Sequence, residues 1–139
     1  MESVLPQNVE VLRMYLEVLP CQQSSPVHPF TGYVLNLNIT SKVHRDANDK
    51  DICLVIAISS NCEGGELCLM EPGLVLGLRN GDTVIFPSCD ITHFNQHYKG
   101  RRASLVFHSD KWLTGWLKDG NGWDGSIFIR RYTSTEAGL

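Results

Sequence analysis

Residues 32–58 read GYVLNLNITSKVHRDANDKDICLVIAI, two apolar runs separated by a short, highly charged segment. In an extended chain successive side chains point to opposite faces. The first run therefore puts Tyr33, Leu35, Leu37 and Ile39 on one face and Val34, Asn36, Asn38 and Thr40 on the other. Two amides on one face suit a strand that lines a polar cavity, and a solvent-facing surface explains them equally well. Outward from this stretch the pattern continues: strands are expected at 32–40, 52–58, 66–70, 74–78, 83–87 and 102–108. Each is bounded by Gly, Asn, Asp or Pro, which is the punctuation of an all-β sandwich or barrel.

Ahead of the strands, Val9, Leu12, Leu16 and Leu19 recur at spacings of three and four, which predicts an amphipathic helix over 7–19 ending before Pro20. Residues 21–32, with Ser24-Ser25-Pro26 and Pro29, read as a loop. Behind the strands, 111–123 carries Trp112, Trp116 and Leu117 and suits a short helix, and SIFIRRY at 126–132 suits an added edge strand. No repeat or low-complexity segment is visible. A chain of 139 residues is expected to form one domain, 1–139, with a core of about 32–110.

Composition narrows the function classes. A formal charge of −3 supplies no general pull toward phosphate backbones, so any contact with nucleic acid has to be local. The segment Lys99-Gly100-Arg101-Arg102 is one such local patch, with Lys99 to Arg101 read as an exposed turn. The five cysteines are odd in number, form no CxxC pair and mostly sit in apolar runs, which points to a reducing setting. With no basic-then-apolar leader pattern and no apolar run near the roughly 20 residues needed to cross a bilayer, the expectation is an intracellular protein, the nucleus being one option, with no membrane partner. Asn38-Ile39-Thr40 is a formal glycosylation sequon but reads as strand sequence.

The charged segment carries the chemistry. His44 and Asp46 are separated by one residue, so on a strand-like stretch both side chains can face one metal ion. Alone, this motif is common by chance, and a solvated turn is the competing reading. A third donor changes the balance: His93 follows the apolar run TVIFPS. His97 competes for that role, but His93 lies directly after the run and nine residues before Arg102. A set of two histidines and one carboxylate leaves adjacent positions open on the metal, as a non-haem Fe(II) oxygenase requires for a 2-oxo acid and O2. Zinc is more often held in a closed or three-ligand tetrahedral site. Arg102 and Ser104 alternate in phase, so a guanidinium fork and a hydroxyl share one face and suit a carboxylate. Arg101 is out of phase and belongs with the exposed patch. His28 and Asp90 read as loop and turn residues.

Taken together, His44-Arg45-Asp46, Glu63-Gly64-Gly65-Glu66-Leu67, Gly81-Asp82 with Phe86, His93, and Arg102-Ala103-Ser104-Leu105-Val106-Phe107 resemble the Fe(II)/2-oxoglutarate dioxygenases. Within these the similarity is to the TET/JBP class, which oxidises bases in nucleic acid. The resemblance covers roughly 32–110. It implies a mainly β fold, a double-stranded β-helix (jelly-roll-like, cupin-type barrel) with an N-terminal helix and a short C-terminal extension. It implies Fe(II) on His44, Asp46 and His93, with 2-oxoglutarate on Arg102 and Ser104 and O2 as co-substrate. Asn36 and Asn38 are the further candidates for lining the cofactor cavity. Asp49 and His108 match positions that in relatives lie near the target base, although the family more often places a tyrosine where His108 stands.

The expected substrate is a methylated base in nucleic acid, DNA before RNA, such as 5-methylcytosine, thymine or N6-methyladenine, handled by a monomer. Two alternatives stay open: a prolyl- or protein-hydroxylase-type oxygenase with a peptide substrate, and a catalytically silent double-stranded β-helix that serves as a binding domain.

Overall fold

The computed structural model describes residues 1–19 and 22–119. The chain opens with helix α1 (Pro6–Glu17) and a 3-10 turn (Gln22–Ser24). Seven strands follow: β1 (Gly32–Leu37), β2 (Cys53–Gly64), β3 (Leu67–Leu69), β4 (Leu74–Leu76), β5 (Thr83–Phe86), β6 (His93–Asn95) and β7 (Tyr98–His108). Helix α2 (Leu113–Asp119) ends the described chain. The strands form two antiparallel sheets, ordered β1-β7-β2-β5 and β4-β3-β6. A bridge between His44 and His93 adds the charged segment to the free side of β6. This is the double-stranded β-helix that the sequence led us to expect.

Alternation along the large sheet builds two cores on its opposite faces. Cys53 and Phe86 point inward and meet Leu67 and Leu69 of the small sheet, with Val55, Val84 and Val106 around them. One residue out of phase, Leu54, Ile85 and Phe107 point outward and meet Leu12, Phe30 and Ile52. Helix α1 closes this outer core with Val9, Leu12 and Leu16, each buried. It has Pro6 at its start and no side-chain cap. Each buried aliphatic contributes about 1.5–3 kcal/mol, which outweighs the roughly 1 kcal/mol a cap would add; tertiary packing therefore holds the helix. Helix α2 leans on α1 through Tyr15 and Thr114, whose hydroxyls lie 3.3 Å apart, and through the Trp116 indole, which donates to the Val18 carbonyl at 2.9 Å.

The boundaries differ from the sequence reading in instructive places. β2 does not stop at 58 but runs to Gly64, and β7 begins at Tyr98 rather than 102, because the two polar extensions pair with each other. Lys99 to Arg101 is thus strand rather than turn, although all three residues are exposed as expected. The pairing is bulged between Ser60 and Glu63. There Gly100 has φ +106°, and a Cβ on it would fall 1.9 Å from the Asn61 carbonyl oxygen, so only glycine permits the close approach. β1 ends at Leu37 instead of 40, since Asn38 turns to φ +51°. β6 was not anticipated: three residues carry too little periodicity to register. The helix expected within 111–123 is present as α2, whereas the strand expected at 126–132 lies outside the described residues. Among the described residues no helix is long and apolar enough to cross a membrane.

Candidate metal centre

His44 and His93 face each other through a two-way backbone pair: the His44 amide donates to the His93 carbonyl at 3.1 Å, and the His93 amide to the His44 carbonyl at 2.9 Å. This is how a distant strand delivers the third donor. Asp46, two residues along, is fixed by its own amide to the Ser88 carbonyl at 3.1 Å. Its carboxylate then lies between the rings, Oδ1 at 3.6 Å from His44 Nε2 and Oδ2 at 3.4 Å from His93 Nε2. One donor atom from each residue falls within 4.8 Å of the others, so the three can converge on one ion.

Tautomers support this geometry. His44 Nδ1 sits 2.6 Å from the Lys42 carbonyl and His93 Nδ1 2.9 Å from the Ile91 carbonyl. A carbonyl only accepts, so both Nδ1 atoms carry the proton and both Nε2 lone pairs point to the centre. Such backbone-oriented imidazoles are what a metal site uses to fix its ligands. The donor set of two neutral imidazoles and one carboxylate suits a divalent cation that keeps open positions, and the residues therefore fit Fe(II). Without the cation, the His93 hydrogen bond holds the Asp46 carboxyl below its ordinary value despite burial. Burial pulls His93 down, but the Asp46 hydrogen bond, the Ile91 carbonyl and the nearby carboxylates outweigh it and raise His93 above its ordinary value. The buried His93 ring is also held by Phe86, edge to face at 5.0 Å.

A clamp outside the centre joins its two halves. Arg45, between the first two donors, donates through Nε to Thr92 Oγ1 at 2.8 Å and through Nη2 to Glu71 Oε1 at 2.5 Å. Glu71 in turn accepts from the Thr92 amide at 2.7 Å and hydroxyl at 2.7 Å, just before His93. These bonds, led by the Thr92 hydroxyl, pull the Glu71 carboxyl down to about 2. Glu71→Gln should weaken Mn(II) binding roughly tenfold by loosening the ligand segments, which titration calorimetry checks. Because Glu71 is depressed on folding, its contribution to stability is present above its ordinary value of 4.5 and is lost as the pH falls toward about 2. The thermal midpoints of the metal-free wild-type and Glu71→Gln proteins should therefore differ near neutrality and converge at the acid end.

The donors open into a cavity of about 310 Å³ between the sheets, which Asn36, Asp49, Arg102, Ser104 and His108 also line. Asn36 and Ser104 are cross-strand partners, and the Asn36 amide donates to Ser104 Oγ at 3.3 Å. The outward face of β1 is the apolar one, with Tyr33, Leu35 and Leu37 each at least half exposed. Asn38 departs from the expectation that it lines the cavity. Its left-handed backbone breaks the alternation, its Oδ1 accepts from the Arg102 amide at 3.0 Å, and Ile39 faces the cavity instead.

Asp49 and His108 meet: His108 Nδ1 lies 3.3 Å from Asp49 Oδ1, and the fully buried Ser88 hydroxyl donates to Asp49 Oδ2 at 2.6 Å. The Asp49 hydrogen bond raises His108 above its ordinary value. Burial pushes the cavity-lining Cys53 thiol up to about 12, which leaves it an inert packing group. The four described cysteines, Cys53, Cys62, Cys68 and Cys89, are free thiols. Sequence reasoning missed Ser88 and Asn95. Ser88 had no partner in its neighbourhood, and Asn95 lay in a strand too short to detect.

No protein-family model matches the chain, and no curated protein matches it. Solved structures do. NgTET1 in complex with 5mC DNA aligns with a TM-score of 0.63 at 18% identity, over 78% of this chain and 49% of that one. An oxidoreductase of the 2OG-Fe(II) oxygenase family from Burkholderia pseudomallei aligns with a TM-score of 0.45 at 22% identity, over 65% of this chain and 51% of that one; so low a score adds no argument. The first alignment establishes a shared double-stranded β-helix. The chain spans about half the length of the NgTET1 chain.

Proposed function

We propose that the chain is an Fe(II)- and 2-oxoglutarate-dependent dioxygenase that hydroxylates a base in nucleic acid. One observation carries the reading: His44, Asp46 and His93 converge their donor atoms on the cavity that also holds an arginine paired with no carboxylate among the described residues. When bound, iron with 2-oxoglutarate and O2 supplies the oxidising power that converts a C–H bond to C–OH, with succinate and CO2 as co-products. His44, Asp46 and His93 would hold the ion. Arg102 and Ser104 would bind the distal carboxylate of 2-oxoglutarate, with Asn36 orienting the Ser104 hydroxyl. The apolar walls, Val55, Phe86 and Val106, keep water from the reacting carbon.

Asp49 and His108 would contact the substrate. Their mutual bond and the Ser88 hydroxyl fix a flat ring and a carboxylate at the cavity wall, groups that can stack on a base and read its polar edge. A base in duplex DNA reaches such a cavity only by leaving the stack. Exposed Arg101, on the same strand as the cavity residues Arg102 and Ser104, offers a local phosphate contact despite the net charge of −3. NgTET1, a fold neighbour, is in complex with 5mC DNA, and the reading therefore puts DNA before RNA.

The test combines succinate detection with nucleoside mass spectrometry after incubation with Fe(II), 2-oxoglutarate and oligonucleotides carrying 5-methylcytosine, thymine or N6-methyladenine. Oxidised nucleoside with matching succinate supports the proposal. Hydroxylated peptide in a parallel arm with no oxidised base would transfer it to protein substrates. Failure to bind Fe(II) or Mn(II) would leave a binding domain.

A further inference from the structure

We propose that Asn95 is a positioning residue for the co-substrate: it holds the Arg102 guanidinium through an uncharged acceptor and so leaves its positive charge free for the ligand's distal carboxylate. The inference rests on the 2-oxoglutarate reading above and names a residue of that site which the reading does not require.

The amide orientation of Asn95 follows from its neighbours. With Oδ1 toward Arg102, that oxygen accepts from Nη2 at 2.9 Å and from Nη1 at 3.1 Å, and Nδ2 donates to Ser41 Oγ at 3.1 Å. The opposite orientation sets nitrogen against the guanidinium donors. Ser41 Oγ also accepts from the Asn95 backbone amide at 3.1 Å, so both ends of the residue are pinned. Asn95 lies two residues beyond His93 on β6, on the same face of the strand, and both line the cavity. One short strand thus carries a metal donor and the holder of the arginine.

Two further neighbours of the arginine are also uncharged. The Tyr98 ring lies 5.8 Å from its Cζ. Gly65, at φ +81°, keeps the remaining side clear, since a Cβ there would stand 3.3 Å from Nη1. Among the described residues Arg13, Arg45 and Arg79 each pair with a carboxylate, whereas Arg102 pairs with none. A carboxylate in place of the Asn95 amide would match the guanidinium fork and neutralise it. An incoming diacid would then have to displace that partner or bind against its charge. The neutral amide keeps the same geometry and avoids the competition.

The experiment uses the Mn(II)-loaded protein and calorimetric titration with two ligands: 2-oxoglutarate, and 2-oxopentanoate, which has the same chelating end and no distal carboxylate. Asn95→Asp, nearly isosteric, should lower 2-oxoglutarate affinity about thirtyfold, and Asn95→Leu about tenfold, through lost orientation alone. Both variants should bind 2-oxopentanoate as the wild type does, which also shows that they are folded and metal-loaded. An Asp variant with wild-type affinity for 2-oxoglutarate overturns the inference. So does equal loss of both ligands, because Asn95 would then act through the fold or through His93. If the wild-type protein binds neither 2-oxo acid, the co-substrate reading fails and takes this inference with it. If it binds 2-oxoglutarate and the variants are indistinguishable from it, only this inference fails.

Discussion

Asp46→Ala is expected to abolish Mn(II) and Fe(II) binding while leaving the fold in place. Asp46 is the only anionic donor of the three, and its two oxygens reach toward both histidines, at 3.6 and 3.4 Å. Without it, two neutral imidazoles remain, one of them more than a third exposed, and neither neutralises any of the cation's charge. Loss of affinity should exceed about a hundredfold, the upper range even for residues that only support a ligand. The fold should survive because the Asp46 side chain is 35% exposed and its removal opens no sealed cavity. His44→Ala is an equally clean probe, its side chain being 40% exposed. His93→Ala is not, since the buried ring packs on Phe86 and its loss costs stability as well as metal. Electron paramagnetic resonance of added Mn(II), with thermal melts of the metal-free proteins, separates the two effects. Wild-type metal affinity in either clean variant would remove the ligand assignment.

The fold was legible where short apolar runs are bounded by turn residues. Leu54, Ile85 and Phe107 face one core and Cys53, Phe86 and Val106 the other, so the central strands read as continuous apolar runs because the large sheet is packed on both faces. It was illegible where pairing is non-local and polar. Ser60 to Gly64 and Tyr98 to Arg101 find their strand partners in each other, and the glycine that reads as a turn signal, Gly100, is there to let two backbones approach. The donor residues could be picked out only as a set, since His44 and Asp46 alone are common by chance and gain weight from His93 and the Arg102-Ser104 pair, even though His93 reaches His44 through a bridge that no periodicity announces. Asn38 illustrates the limit of phase arguments: one left-handed residue at the end of β1 moves the following side chain to the other face. Asn95 is pinned by Ser41 and Ser88 acts on Asp49, both far away in the chain, and nothing beside them in sequence indicates those partners.

Phase did separate the two adjacent arginines, and their replacement should give very different results. Arg102→Ala is expected to weaken 2-oxoglutarate binding to the Mn(II)-loaded protein roughly a hundredfold, about 2.8 kcal/mol at 1.4 kcal/mol per tenfold. Hydrogen bonds to charged groups are worth about 1.5–3 kcal/mol each, and a fork can make two of them to one carboxylate. Arg102 is half-buried in the cavity beside Ser104, already oriented by Asn95, so little ordering entropy remains to be lost on binding. Arg101 is exposed, on the opposite face of β7, and surface ion pairs contribute only about 0–1 kcal/mol; Arg101→Ala should therefore change 2-oxoglutarate affinity less than about fivefold. The same substitution should reduce affinity for a DNA oligonucleotide and flatten its salt dependence, because an exposed guanidinium acts on phosphate through counterion release. The two variants thus divide the basic pair by ligand, one residue for a small diacid and the other for the nucleic-acid backbone. Equal effects on 2-oxoglutarate would mean that Arg102 does not contact it, whereas an Arg101 variant with unaltered DNA binding would leave the backbone contact to other residues.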